Sequence, residues 1–439
     1  MQTTPWQTIL WGFPFLGLLL SIAILPGLAP RFWVRRMGAV ALGWTLLLLV
    51  PVVADDGVRV AWPLARHVLI QDYLPFISLL GALYIAAGGI LVRGGPRGTP
   101  GGNTLLLASG MVLGLVMGTS GAAMVLVHPL LAANAHRRRK THLVLFLIVL
   151  VANASGALTP LGNPPLFVGL LRGVPFLWPA EHLLAPYFVM TGTLLIAFYW
   201  LDRYLAAGEP PAPATRPLRV RGLWNVALVA LLGFSVLAQG LDLPRVSVLG
   251  EPVDAGRLGG IAVALAAAAA SLWITPRAVR GANDFSWHPI VEVAILFLGI
   301  FVTLAPVSAM LREGAAGPLA PLFALTRDAA GDPWPLAYFW LTGLLSAVLD
   351  NAPTYLVFFD LAGIQPGAMG PDETRILRAI SAGAVFFGGL TYIGNAPNMM
   401  LRAVASHRGV RMPGFFGFSL LAAAVSLPVF VLLTLLFFG

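Results

Sequence analysis

The sequence predicts an all-α polytopic membrane protein built of two inverted-topology repeats, each with five spans (one broken) and one re-entrant hairpin. Three observations lead there. Of 439 residues, 58% are hydrophobic and 10% charged, where a soluble domain carries about 25% charged residues. The apolar residues fall in blocks of roughly 17–25, the length that crosses about 30 Å of hydrocarbon as helix. Finally, the phrase "LTPLGNPP" at 158–165 returns as "LTYIGNAP" at 390–397, with Leu, Thr, Gly, Asn and Pro at the same five of eight places.

The elements follow in order. Block 8–29 lacks a basic n-region and a small-residue cleavage site, so it is expected to be a span and not a removable signal. Helices near 36–53 and 70–92 come next. The first repeat, 1–205, continues with a hairpin at about 103–134, a broken helix at about 141–174 and a helix at 182–204. A Pro- and Ala-rich linker, "AAGEPPAPATRPLRVRG" at 206–222, precedes the second repeat, 223–439. That repeat has helices near 223–240, 257–275 and 288–311, a hairpin at 335–363, a broken helix at 376–405 and a last helix at 413–438.

Each hairpin is about 30 residues, too long for one span, and is interrupted by "GTSGAA" (118–123) or "LDNAPT" (349–354). Irregular backbone at membrane depth is tolerated only where protein buries it or where it lines a cavity. With each hairpin returning to its own side, 18 of the 27 basic residues fall in cytoplasmic loops and both termini lie outside. The linker is then cytoplasmic. Five spans per repeat is an odd number, so the repeats are inverted. Arg137, Arg138, Arg139 and Lys140 read as a topology signal, and Trp287 and Trp334 as interface belt.

Composition excludes several classes. With no cysteine there is no disulfide framework or thiolate metal site. The net charge of +9 belongs to loop arginines and sets orientation, so nucleic acid is not expected as a partner. HExxH, nucleophile elbow and P-loop motifs are absent, which argues against an enzyme or an ATP-driven pump. Sequence leaves a channel open, but broken helices in inverted halves fit alternating access better.

Discontinuous helices expose half-helix ends and free carbonyls near the midplane, where transporters bind substrate and coupling ions. Gly394 and Pro397 break the helix, while Thr159, Asn163, Thr391 and Asn395 offer oxygen ligands. Ser120 to Thr159 is 39 residues and Asn351 to Thr391 is 40, so "SGAAMVLV" (120–127) pairs with "NAPTYLVF" (351–358). The candidate cation or substrate ligands are Thr119, Ser120, Thr159, Asn163, Asp350, Asn351, Thr354, Thr391 and Asn395. Asp350 leads the proton-coupling candidates, because an ionisable group within the membrane is a functional-site hypothesis by default; it could equally cap the following helix. Glu292, Asp360 and His128 are the other candidates, and Asn153 could bridge helices or ligate an ion.

"GTSGAAMVLVHPLLAANAHRRRK", "LTPLGNPPLF", "LDNAPTYLVFFDLAG" and "LTYIGNAPNMM" resemble the ion transporter superfamily, closest to bacterial NhaD-like sodium:proton antiporters and citrate transporters. The resemblance implies Na⁺ sites at the hairpin tips and broken-helix loops, with transported substrate between them. It also implies a bacterial cytoplasmic membrane and a homodimer. No cofactor is expected; the transported species are Na⁺ and H⁺. This chain departs from the symporters' Ser-Asn-Thr tips, and Asn163 stands where relatives often carry Asp. The expected function is Na⁺/H⁺ antiport, the alternative cation-coupled uptake of citrate or another carboxylate, and arsenite or another oxyanion the third reading.

Overall fold

A computed structural model describes residues 9–214, 216–239 and 243–439. Positions 8, 215 and 240 of the expected spans and linker lie outside it. Among the described residues eight helices are long and apolar enough to cross a membrane, from Ile9–Leu28 to Phe415–Phe438. The protein is an all-α polytopic membrane protein, with two small antiparallel ribbons outside its spans.

The first two helices, Phe13–Leu28 and Pro30–Asp56, are separated by Ala29 alone. A residue before proline is pushed out of the helical region, and Pro30 suits the first turn of the next helix. This second helix starts earlier than the expected 36, because Arg31, Arg35 and Arg36 sit exposed on its surface and not in a loop. The third expected span, 70–92, also begins early. A helix Val58–His67 runs through a π-turn, Val68–Tyr73, into Leu74–Gly88. Segment 58–67 carries Arg59, Arg66 and His67 and lies outside the expected span, but an amphipathic helix needs only one buried face, and Ala61 lies on it.

Chain 91–95 leaves the membrane core as a strand and pairs with Arg216–Arg221, so the end of the expected linker is ordered as a ribbon. A second ribbon pairs Arg245–Val248 with Glu251–Asp254.

The centre of the molecule is made by the hairpins and the broken helices. Helix Pro100–Ala133 is kinked at Gly118 (φ 77°, ψ 154°). Its counterpart is two helices, Pro335–Val348 and Asn351–Ala362. The first broken helix runs Thr141–Phe146 through a π-turn and a short 3-10 turn, and restarts as Pro164–Leu171. The second runs Pro371–Phe386, a 3-10 turn, then Ala396–His407. Phe146 through Ala152 are fully buried. A helix that is apolar all round is a core helix. Outer helices such as Phe415–Leu433 instead expose Phe416 and Leu420, as lipid-facing surfaces do.

Candidate functional site

Two glycine crossings fix where the chain breaks. A Cβ on Gly156 would lie 2.3 Å from the Gly162 carbonyl oxygen, and one on Gly162 would lie 2.5 Å from that of Gly156. In the other half, a Cβ on Gly394 would lie 2.7 Å from the Gly388 carbonyl oxygen. In both places backbone meets backbone, which only glycine allows. The helices then restart with proline in the first turn, Pro164 and Pro165 in one and Pro397 in the other, where a missing N–H costs nothing. Asn163 and Asn395 occupy the residue before each restart with extended backbone.

Thr159 and Thr391 tie each break to a hairpin. Thr159 Oγ1 donates to the Leu115 carbonyl at 2.5 Å, and Thr391 Oγ1 donates to the Ala347 carbonyl at 2.5 Å; both span 44 residues. The same hydroxyls accept from the backbone N–H groups of Gly162 and Gly394, each at 3.0 Å. Both hydroxyls, expected as ligands, hold loop geometry here. The clamps align the tips one residue earlier than the spacing suggested. Leu115 matches Ala347, so Gly118 matches Asp350, and Thr119 matches Asn351, at the constant offset of 232 that relates Thr159 to Thr391.

The tips then meet the breaks. Thr119 N–H donates to the Gly162 carbonyl at 2.9 Å. Asn351 Nδ2 donates across the halves to Asn163 Oδ1 at 2.8 Å, and Asn163 Nδ2 passes on to the Asn153 carbonyl at 3.1 Å. Asn153 is the centre of this amide network. Its Oδ1 accepts from Asn395 Nδ2 at 3.0 Å, and its Nδ2 donates to Asn398 Oδ1 at 2.9 Å. Asn398 Nδ2 in turn donates to the carbonyls of Gly388 and Thr391, both at 2.8 Å. All five asparagines are buried. A buried amide network must be satisfied to be stable, and one acceptor, Asn351 Oδ1, is left without a partner.

Asp350 is the N-cap of Asn351–Ala362; its Oδ1 accepts from Ala352 N–H at 3.3 Å. Its carbonyl accepts from Thr354 Oγ1 at 3.0 Å. Asp350 also lines a cavity of about 410 Å³ with Glu292, His288, Trp33, Tyr392 and Asn395. Besides the Tyr392 phenol, this wall carries two carboxylates and one imidazole; among the described residues it has no Arg or Lys. Glu292 Oε1 accepts from Trp33 Nε1 at 3.1 Å, and His288 Nδ1 is 3.9 Å from Glu292. A second cavity, about 60 Å³, is lined by Thr119, Ser120, Gly162 and Pro397. The two share Pro289, Val293, Ala396 and Met400 as walls.

The remaining candidates sit elsewhere. Asp360 is buried against Arg312, whose Nη2 is 2.8 Å away, so its charge is already matched. His128 Nδ1 accepts from Arg408 Nη2 at 3.2 Å, with Asp284 3.7 Å from its other ring nitrogen. Arg137, read as a topology signal, is buried in an ion pair with Asp202, which also holds His142 at 2.8 Å and Asn103 at 2.8 Å. Sequence reasoning missed Asn398 and Trp33. Asn398 had a signal: a second asparagine one turn after Asn395 in an otherwise apolar helix start.

This geometry gathers side-chain oxygens of Thr, Ser and Asn and one capped carboxylate, the oxygen-only chemistry that suits a hard cation. Among the described residues no three His, Asp or Glu side chains cluster as a transition-metal site would require. A family model described as "Putative citrate transport" matches residues 4–438. An uncharacterized transporter of Synechocystis sp. is 23% identical over 314 residues, an alignment covering 65% of this chain and 66% of that protein. The chain thus spans just under two thirds of that relative's length. With its apolar helices, the chain is a multi-pass membrane protein of a transporter family.

Proposed function

The chain belongs to that family, and we propose that it is a secondary active transporter exchanging Na⁺ for H⁺ across a bacterial cytoplasmic membrane. The acidic cavity carries this reading: Asp350 and Glu292 share one wall with His288 and with no Arg or Lys among its described residues. A cation is attracted there and an uncompensated anion is repelled. Asp350 is the exchange site. Ionised, it takes the cation with Asn351 and carbonyl oxygens; protonated, it releases it. Thr119 and Ser120 in the small cavity and Asn395 in the large one add neutral oxygen donors, and Asn163 reaches the site through its hydrogen bond with Asn351. Thr159 and Thr391 act by holding the loops.

Inverted repeats, divided at the linker, account for alternating access. The large cavity is walled by Pro30, Trp33, Ser286 and Ala403, residues at the end that the basic-residue count assigns to the cytoplasm. On that topology the large cavity lies toward the cytoplasmic side. Nothing in this mechanism needs a cofactor or a protein partner.

The family description favours one competing reading, uptake of citrate or another carboxylate together with a cation that neutralises it. A pH-gradient dye assay in inverted vesicles separates the two, with Na⁺, Li⁺, K⁺, citrate and arsenite added in turn. Exchange predicts collapse of the gradient on Na⁺ alone. Collapse only when citrate accompanies the cation overturns exchange in favour of symport.

A further inference from the structure

The ribbon Leu91–Gly95/Arg216–Arg221 holds two arginines in an arrangement that the transport reading does not use. Its register sets Val92 opposite Val220 and Arg93 opposite Arg219. Strand alternation puts the two pairs on opposite faces. Val92 and Val220 pack against the core, whereas Arg93 and Arg219 are exposed. Like charges directly opposite each other destabilise a strand pair.

Among the described residues no ion pair offsets that repulsion. Arg93, Arg97, Arg219 and Arg221 have no carboxylate within ion-pair distance among the described residues. Nearby basic groups do have one: Arg137 pairs with Asp202 and Arg408 with Asp284, while the backbone N–H groups of Arg138 and Arg139 bind Glu209.

Exposed apolar side chains interleave with these arginines. Leu218 is 63% exposed, Leu223 63% and Trp224 71%. Trp224 begins the apolar helix Trp224–Ala238, and a tryptophan at a helix start sits at headgroup level. The run "LRVRGLW" (218–224) therefore presents apolar groups to the bilayer edge and guanidinium groups beside it.

We propose that this ribbon binds the phosphate headgroups of anionic phospholipids, which neutralise the Arg93–Arg219 pair. Guanidinium groups match phosphate oxygens in bidentate geometry, and a juxtamembrane basic residue is held by an anionic leaflet.

The test uses the intact protein in nanodiscs of phosphatidylcholine with increasing phosphatidylglycerol, and reads retained phosphatidylglycerol by native mass spectrometry and unfolding temperature. The double variant R93Q/R219Q should lose roughly thirtyfold in apparent affinity for phosphatidylglycerol, the change expected of two basic residues at the headgroups. R93K/R219K should fall between wild type and the glutamine variant, because charge is retained and the bidentate match is lost. Should the double glutamine variant fail to fold, Arg221→Gln alone should cost about fivefold. Wild-type retention in the glutamine variants overturns the proposal. So does displacement of the lipid by inorganic phosphate, which would make the ribbon a free-anion site.

Discussion

Replacing Asp350 with Asn separates its structural role from its chemical one. The cap rests on one Oδ1 accepting from Ala352 N–H at 3.3 Å. Asparagine caps a helix about as well as aspartate, so folding should change by well under ~1 kcal/mol. The cation contact is different. A carboxylate and a monovalent cation about 4 Å apart attract by about 4 kcal/mol at an effective dielectric near 20, nearly a thousandfold in affinity. The amide also cannot carry the proton. Asp350→Asn should thus express and melt like wild type, but lose the Na⁺-driven collapse of a pH gradient in inverted vesicles. Asp350→Glu should retain exchange with a displaced pH profile. Activity should rise with pH as the carboxyl gives up its proton, and fall where protons become too scarce to compete with Na⁺. Carboxylate symport makes the opposite forecast, because removing a negative charge leaves an anion site intact. A well-expressed Asp350→Asn protein with the wild-type Na⁺ response would refute Asp350 as exchange site and point to Glu292 on the same wall.

Further outcomes follow from the same geometry. Asn163→Ala and Asn395→Ala should each raise the cation concentration for half-maximal transport about tenfold, the weight of one ligand contact near 1.4 kcal/mol; unchanged cation dependence in both would reduce the breaks to packing kinks. Asn398→Leu strands the Gly388 and Thr391 carbonyls and one N–H of the Asn153 amide, which keeps the Ile148 carbonyl, so it should destabilise by about 3 kcal/mol, read as a lower melting temperature in detergent; a wild-type melt would show that the network is not needed. The chain has no native cysteine, so Arg139→Cys should label only from the cytoplasm and Asp372→Cys only from outside, and labelling of both from one side would rule out the inverted arrangement.

Local chemistry was legible in the sequence, and long-range pairing was not. Gly162, Gly394, Pro164 and Pro397 announced the breaks because glycine and proline act on their own backbone. The kink at Gly118 and the cap at Asp350 fell within the quoted interruptions. The partners of Asn153, however, lie 242 and 245 residues away, and that of Asn163 lies 188 away. No periodicity encodes such a pairing. The ion pair of Arg137 was hidden for the same reason: its partner Asp202 is 65 residues on, so the sequence displayed only a basic cluster. Helix Val58–His67 was hidden by its charges, which a surface helix carries freely on its outer face.

The two tips are alike in their clamps and unlike in charge, and the backbone explains why. Asp350 has φ −60° and ψ 146°, an ordinary N-cap conformation open to any residue. Its match, Gly118, has φ 77° and ψ 154°, a region that side chains with a Cβ essentially do not enter. An acid at position 118 would strain the tip before it could bind anything. Each Thr clamp fixes its tip three residues after the carbonyl it holds, Leu115 or Ala347, so neither tip can slide to relieve that strain. The first tip therefore has no place for an acid at the position that matches Asp350, and its polar side chains, Thr119 and Ser120, are neutral. A transporter with one acidic and one neutral tip binds a proton and a cation in competition at one end of its cavity and only neutral-ligand contacts at the other. On the exchange reading, that asymmetry makes the second half the site of coupling, and Asn163, which receives Asn351 across the halves, the residue through which the first half senses it.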